Sequence, residues 1–190
     1  MKTILRPALV LFVSLSVLTG LLYPLAVTGA AGTVFPAQAA GSLVARDGEV
    51  VGSSLIGQGF DDAGHFWGRP SATAPKPYDA SASGGANLGP LNPALVEAVK
   101  ARVDALRAAD PGNAASVPVD LVTTSASGLD PDISPAAARY QAGRIARLRR
   151  LPPATVEALI ERHTRAPFAG FIGEPRVNVL ALNLALDAVK

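Results

Sequence analysis

The sequence contains no cysteine. It therefore forms no disulfide bond and no thiolate metal site, and a lipoprotein is excluded because there is no cysteine to acylate. Histidine occurs only twice, at His65 and His163, and aromatic residues make up only 5% of the chain. No H-E-x-x-H, G-x-S-x-G or Walker A motif is present. These absences argue against the metalloprotease, α/β-hydrolase and P-loop classes.

Charge is also missing between Arg6 and Arg46. The apolar stretch Pro7–Ala31 would be roughly 37 Å long as a helix, enough to cross a hydrocarbon core of about 30 Å. Lys2 and Arg6 precede it, and basic residues flanking a span favour the cytoplasmic side. We therefore predict residues 1–6 in the cytoplasm, a transmembrane helix over residues 7–31, a connector over 32–42 and an extracytoplasmic domain over 43–190. This makes a single-pass protein of the bacterial inner membrane.

A cleaved signal peptide is the alternative. Lys2 and Arg6 would form its basic region, Leu9–Leu22 its apolar core and Ala37–Ala39 its cleavage site. The apolar run is longer than the ~7–15 residues of a signal core, and the A-x-A triplet lies well beyond Leu22. The uncleaved anchor is therefore favoured, and both interpretations export the domain.

The exported part carries no net charge. Removing Lys2 and Arg6 from the 17 basic residues leaves 15, which equals the 15 acidic residues, all of them beyond the anchor. A neutral domain has no field to attract a polyanion, so nucleic acid is not an expected partner.

The pattern after the anchor is mixed. Asp47-Gly48 predicts a β-hairpin within residues 43–51. Phe60–Pro93 is a long loop, and the aromatic pair Phe66-Trp67 favours a packed, functional one. Val117–Val122 alternates and predicts an edge strand. Helices are predicted after three start signals: Asn92-Pro93, Ser134-Pro135 and Pro152-Pro153. Asn178 could cap a last helix over Val179–Val189, but this apolar run also fits a strand. The fold class is a single N-terminal transmembrane helix plus a small mixed α/β exported domain.

Few side chains are suited to catalysis or to binding a ligand. The glycine-rich segment Ser81–Pro93 leads into a helix N-terminus, where an anion can bind, but a loop that needs glycine for its geometry is favoured. Asp120, Asp130 and Asp132 are interpreted as turn and cap residues rather than a cation site. His65 and His163 are interpreted as packed, exposed or capping residues. The arginines between 139 and 150 are interpreted as a solvated helix face, or as a surface for an acidic partner.

Many short motifs, in this order, resemble the KdpC family, the C subunits of the Kdp high-affinity potassium-transporting P-type ATPases. The resemblance covers nearly the whole chain and includes the anchor. The motifs that carry it best are Leu21–Pro24, Phe66–Ala72, Ser83–Gly85, Asn87–Pro90, Val119–Thr123, Ser127–Pro131, Ile133–Ala138 and Gly173–Asn178.

The resemblance implies an accessory, non-catalytic subunit needed for assembly and activity. Its partners would be a channel-like potassium-binding subunit, a P-type pump subunit, a small single-span subunit and the lipid bilayer. The outer domain would sit over the potassium entrance. The family is also described as a catalytic chaperone that raises the pump's ATP affinity. The subunit would hold no cofactor of its own, with ATP and Mg acting at the level of the complex and potassium as the transported ion.

The resemblance also supplies candidate residues. It implies nucleotide contacts for Ser83, Gly84, Gly85 and Asn87, in a segment likened to the signature loop of ABC transporters. Candidates for contact with partners or with the ion entrance are Trp67, Arg69, Asp130 and Asp132. No catalytic or metal-ligating residue is expected. Two other function classes stay open: an independent membrane-anchored exported binding module, and a periplasmic hydrolase that uses His65.

Overall fold

The computed structural model describes residues 2–189, except the side chain of Lys2. The chain forms two compact units, which meet in sequence between Val51 and Gly52. In the first unit, α1 (Lys2–Val17) and α2 (Tyr23–Val34) are joined by a π-helical turn, Leu18–Leu22. Thr3–Val34 is thus a 32-residue helix, and within residues 2–189 it alone is long and apolar enough to cross a membrane.

The π-helical turn has a local cause. Pro24 lacks an N–H group, and its ring crowds the carbonyl of Gly20 four residues earlier. The wider turn, in which the Tyr23 N–H donates to the Leu18 carbonyl, relieves that crowding. The Thr19 hydroxyl donates to Leu15 O at 2.7 Å. It is therefore satisfied within the helix, which is what a membrane-spanning helix requires of its polar groups.

The predicted connector is largely helical. Helix α2 continues to Val34, and a single turn, α3 (Pro36–Ala39), follows. Strands β1 (Leu43–Arg46) and β2 (Glu49–Ser53) then pair in a two-stranded sheet. The φ angles of Asp47 and Gly48 are 53° and 86°. Two positive φ angles between paired strands define the type I′ turn, so the hairpin prediction is confirmed.

The second unit is built on a short antiparallel sheet with the order β3 (Asp132–Ile133), β5 (Arg176–Asn178), β4 (Thr164–Arg165). Helices α5 (Pro135–Arg149), α6 (Pro153–His163) and α7 (Val179–Asp187) supply most of the core. Its fully buried side chains include Phe66, Ile145, Ile160, Val177 and Leu182. One apolar helix followed by a small mixed helix and sheet domain confirms the predicted fold class.

All three start signals and Asn178 are followed by a helix, and a side chain caps three of the four. The side chain of Ser134 accepts the Ala137 N–H at 3.0 Å, and that of Asn178 accepts the Ala181 N–H at 3.0 Å. Asn92 caps α4 (Pro93–Ala109) by accepting from Ala94 N. Each cap satisfies a helix N–H that has no intrahelical partner. Because few residue types can do this, the helix starts can be recognised in the sequence.

The strand predicted at Val117–Val122 is wrong. Val119–Leu121 forms a 3-10 turn instead, and the Val119 carbonyl accepts from the N–H groups of Val122 and Thr123. The Asp120 carboxylate accepts from both the backbone and the hydroxyl of Ser134, at 2.7 and 3.2 Å. A tertiary contact to the start of α5 thus overrides the local alternation of apolar residues.

Candidate functional site

The aromatic loop is held by two buried side-chain amides. Asn183 on α7 accepts the Phe66 N–H at 2.8 Å and donates to the Phe66 carbonyl at 3.0 Å. Gln141 on α5 likewise accepts the Trp67 N–H at 2.8 Å and donates to the Trp67 carbonyl at 3.1 Å. Both amides are at most 2% exposed. They replace the backbone partners that a strand would have, so this loop has a defined position against two helices.

Arg144 corrects the prediction of a solvated arginine face, because only 3% of it is exposed. Its guanidinium donates to the carbonyls of Ala63 and His65 and to Gln141 Oε1. It also lies over the Trp67 ring, 4.5 Å from the ring centre. Burial lowers the pKa of Arg144 below its ordinary value. Nothing in the sequence signalled this burial, because the carbonyls that bind Arg144 belong to a loop about 80 residues away.

His65 lies in a second polar cluster at the same loop. Its Nδ1 is 2.9 Å from Asp62 and its Nε2 is 3.0 Å from Asp187. Arg149 bonds to Asp187 at 2.7 Å and to the Gly64 carbonyl at 2.9 Å. The backbone hydrogen bond from Gly64, helped by His65, lowers the pKa of Asp62. The cluster joins the loop to both α5 and α7, so Arg149 is not simply solvated either.

Arg69, Asp130 and Asp132 are brought into one network. Arg69 pairs with Asp130 at 3.1 Å and donates to the Thr124 carbonyl at 3.2 Å. Asp130 accepts from Asp132 N at 3.0 Å, which is the predicted turn role. Asp132 pairs with Arg176 at 3.0 Å. These carboxylates are compensated by cations, and across residues 2–189 no group of three or more acidic or histidine side chains is arranged to hold a metal ion.

A cavity of about 320 Å³ lies between the aromatic loop and α4. Its walls include the rings of Phe60, Trp67 and Tyr78 and the guanidinium-bearing side chains of Arg69 and Arg102. Tyr78 donates its hydroxyl to the Arg69 carbonyl, and burial raises the pKa of Tyr78. Trp67 and Arg69 therefore share one cavity, while Asp130 and Asp132 lie with Arg69 along a second, open depression.

The glycine-rich segment docks against a neighbouring turn. Ser127 O accepts from Gly84 N at 2.9 Å and from the Ser83 hydroxyl at 3.1 Å. A Cβ atom on Gly85 would lie 3.0 Å from Ala126 O. Gly128, with φ of 68°, comes so close to Gly84 O that an added Cβ would lie at 2.8 Å. The close backbone approach is the geometric need for glycine that the sequence analysis favoured.

Comparisons with known proteins cover the whole of this architecture. A family profile described as K+-transporting ATPase, c chain, matches residues 5–188. The chain is 76% identical to the potassium-transporting ATPase KdpC subunit of Variovorax paradoxus (strain S110), covering 99% of this chain and 97% of the relative. Identity to the corresponding subunit of Polaromonas naphthalenivorans (strain CJ2) is 73%, over 100% and 97%. The chain belongs to the KdpC family. Family membership makes it a subunit of a multi-subunit potassium-transporting ATPase, and its one apolar helix fits membrane anchoring.

The structure separates the family-implied residues into groups. Ser83, Gly84 and Gly85 lie together against residues 126–128, while Asn87, with φ of 51°, lies on the exposed chain beyond them. Trp67 is bound by Gln141 of α5, whereas Arg69 pairs with Asp130, which in turn accepts from Asp132 N. Nucleotide contact by the first group, and contact with partners or the ion entrance by the second, remain predictions.

Sequence reasoning missed Gln141, Arg144 and Asn183, which hold the aromatic loop. A signal was available for two of them. Asn183 interrupts the apolar run of α7, and Gln141 lies between Tyr140 and Ala142 on the face of α5 that enters the core. A polar side chain on a buried helix face has to find a partner, so such positions mark long-range hydrogen bonds.

Proposed function

We propose that this chain is the membrane-anchored accessory subunit of the potassium pump, and that its exported domain covers the potassium entrance of the channel-like subunit. The observation that carries the proposal is the match to the KdpC family over residues 5–188, anchor and domain together. The proposed partners are the channel-like subunit, the P-type pump subunit and the small single-span subunit. Lys2 and Arg6 before the apolar helix support a cytoplasmic N-terminus.

The internal construction of the domain suits a rigid cover. The loop that carries Trp67 and Arg69 is tied to α5 and α7 by Gln141, Arg144 and Asn183. The Arg69–Asp130 pair and the Asp132–Arg176 pair then fix the adjoining surface. A cover acts by its position and needs no reactive groups. Its polar side chains can therefore all bind other parts of the domain and hold it rigid.

Reconstitution tests the proposal. A variant reduced to residues 1–31 should keep the anchor but fail to support potassium-dependent ATPase activity when combined with the other subunits. The full-length chain, added to the same preparation, is the control and should restore activity. Normal activity with the truncated chain would refute a function for the exported domain.

Orientation and partnership need separate measurements. Protease added outside spheroplasts should digest residues 43–190, and a protected domain would contradict the proposed topology. N-terminal sequencing of a mature protein that began at Ala40 would establish the cleaved-signal alternative. Purification in detergent should yield the chain together with multi-span subunits, whereas an independent binding module would be recovered alone.

The family-implied effect on ATP affinity belongs to the same proposal. ATP and Mg would act on the pump subunit, with this chain altering the KM for ATP. The Ser83 hydroxyl and the Gly84 N–H already donate to Ser127 O, so direct contact would require them to exchange that carbonyl for a phosphate oxygen. Because the proposed topology puts residues 43–190 outside the membrane, away from cytoplasmic ATP, a raised KM for ATP in the double variant Ser83→Ala and Asn87→Ala of the assembled complex would contradict that topology. An unchanged KM would exclude nucleotide binding by these side chains.

A further inference from the structure

The connection between β4 and β5 exposes an unusual amount of apolar surface. No charged residue occurs from Ala166 to Gly173. Phe168, Phe171 and Ile172 are 75%, 79% and 52% exposed. In residues 52–189, these two phenylalanines are the exposed aromatic side chains. Clustered exposed apolar side chains mark interaction sites, whereas single ones need no explanation.

The loop has a fixed shape. Phe168 and Ile172 exchange two backbone hydrogen bonds, each 2.9 Å long. Ala169 and Gly170 have φ angles of 51° and 84°, and Gly173 has 90°. An alanine holds the left-handed conformation only where the surrounding structure fixes it. Since both strands at its base belong to the central sheet, the loop presents its rings in a preformed arrangement, which lowers the entropy cost of docking.

The charges at the base of this loop indicate its partner. Arg162 and Arg165 precede it and the exposed Glu174 follows its rings, and none of the three has an oppositely charged partner within residues 2–189. A complementary surface would therefore be an apolar cleft whose rim carries charges of both signs, as a protein surface does. An anionic lipid surface is less well matched, because it would attract the two arginines but repel Glu174.

We propose that the loop of residues 166–175 inserts Phe168 and Phe171 into an apolar cleft with a charged rim on another protein subunit of the potassium-transporting ATPase. This inference rests on the proposed function, which places the domain beside such a subunit. Aromatic anchors buried in a pocket carry much of the binding energy of many protein interfaces. The loop would thus be the contact that holds the exported domain in place on its partner.

Site-specific crosslinking in the full-length chain tests this inference. Benzoylphenylalanine at position 171, in cells that express all subunits, should crosslink to a second, different protein subunit. The matched control is benzoylphenylalanine at position 91, because Leu91 is 94% exposed and lies outside the loop. It should give little crosslinked protein. Adducts to lipid alone, adducts to a second copy of this chain, or no adduct at position 171 would each overturn the proposal.

A second substitution tests the paired anchors. In the chain with the crosslinker at position 171, Phe168→Ser should lower the crosslinked fraction about tenfold, as expected from the loss of a docking side chain worth about 1.4 kcal/mol. Leu91→Ser in the same background should leave it unchanged. The emission of Trp67 verifies that each variant is folded. If the unmodified chain fails to purify with the complex, the proposed function fails; if it purifies with the complex but does not crosslink, only this inference fails.

Discussion

Asn183 binds both backbone groups of Phe66, accepting its N–H at 2.8 Å and donating to its carbonyl at 3.0 Å, across 117 positions of sequence. Phe66 itself is fully buried. The pair therefore joins a loop without regular structure to the last helix, and it does so inside the core, where an unmet hydrogen bond is costly.

Asn183→Leu should destabilise the exported domain by about 2–6 kcal/mol, because it leaves a buried N–H and a buried carbonyl unpaired at about 1–3 kcal/mol each. Chemical unfolding of the full-length chain in detergent measures the change. Asn92→Ala, which removes an exposed helix cap, is the control and should cost only about 1 kcal/mol. Equal effects of the two substitutions would contradict the special role of Asn183.

Arg144→Met should loosen the aromatic loop. It removes the charge over the Trp67 ring and leaves the carbonyls of Ala63 and His65 without this donor. Trp67 is the single tryptophan of the chain, so intrinsic fluorescence reports on this site alone. We expect a red-shifted emission and a loss of about 2–4 kcal/mol of stability.

Arg150→Met is the matched control for this substitution, since Arg150 is exposed at the end of the same helix. It should leave both the emission and the unfolding midpoint within error of the original values. A similar red shift in both variants would mean that net charge, rather than the buried contacts of Arg144, determines the signal.

Asp62 should make stability depend on acid pH. Its pKa in the folded domain is lowered, chiefly by the hydrogen bond from Gly64 N, so the ionised form stabilises folding. This contribution is present above the unfolded pKa of about 3.9 and disappears as the pH falls through the lowered folded value. The stability difference between the original chain and Asp62→Ala should therefore shrink as the pH falls from 6 to below about 3.

Asp61→Ala is the control for the acid dependence, because no hydrogen bond or ion pair of Asp61 is found among residues 2–189. It changes the net charge by the same amount, so an equally large pH dependence in this variant would mean that charge alone, and not the hydrogen bond from Gly64, causes the effect. A difference for Asp62→Ala that grows toward low pH would have the opposite sign to that expected.

Gly128→Ala should destabilise the turn that supports Ser83 and Gly84. The added Cβ would lie 2.8 Å from Gly84 O and from Thr73 Cγ2, and φ is 68°. The left-handed conformation alone costs about 1–2 kcal/mol, and the contacts add to it. Unfolding midpoints measure the loss. Gly112→Ala, with open space around its Cβ and no positive φ, should be neutral or slightly stabilising.

The parts of the fold that depend on neighbouring residues were predictable. Asp47-Gly48 formed its turn, and Asn92, Ser134 and Asn178 capped their helices, because these interactions span at most three positions. Long-range interactions were not predictable. The alternation at Val117–Val122 gave no sign that Asp120 would bind Ser134. Arg144 and Arg149 looked solvated because their acceptors lie far away in the sequence.

The candidate site also combines local interactions, which were predictable, with long-range ones, which were not. The sequence pattern correctly indicated that Asp130 acts in a turn, which is a local property. It was wrong for Asp132, which begins β3 and pairs with Arg176. It could not place Arg69 beside Asp130, since the two are 61 positions apart. Nor could it assign the burial of Arg144, because a charged residue enters a core only when partners elsewhere in the chain meet its hydrogen bonds.

The π-helical turn at Leu18–Leu22 has a consequence for mapping the membrane helix. One extra residue in a helical turn shifts the angular phase of everything after it by about 100° relative to an unbroken α-helix. A lipid-facing or partner-facing stripe followed along Leu9–Val17 therefore reappears one position out of step from Tyr23 onward. Cysteine scans, helical-wheel plots and chimeras that assume a constant period across Gly20 would attribute the second half of the span to the wrong side.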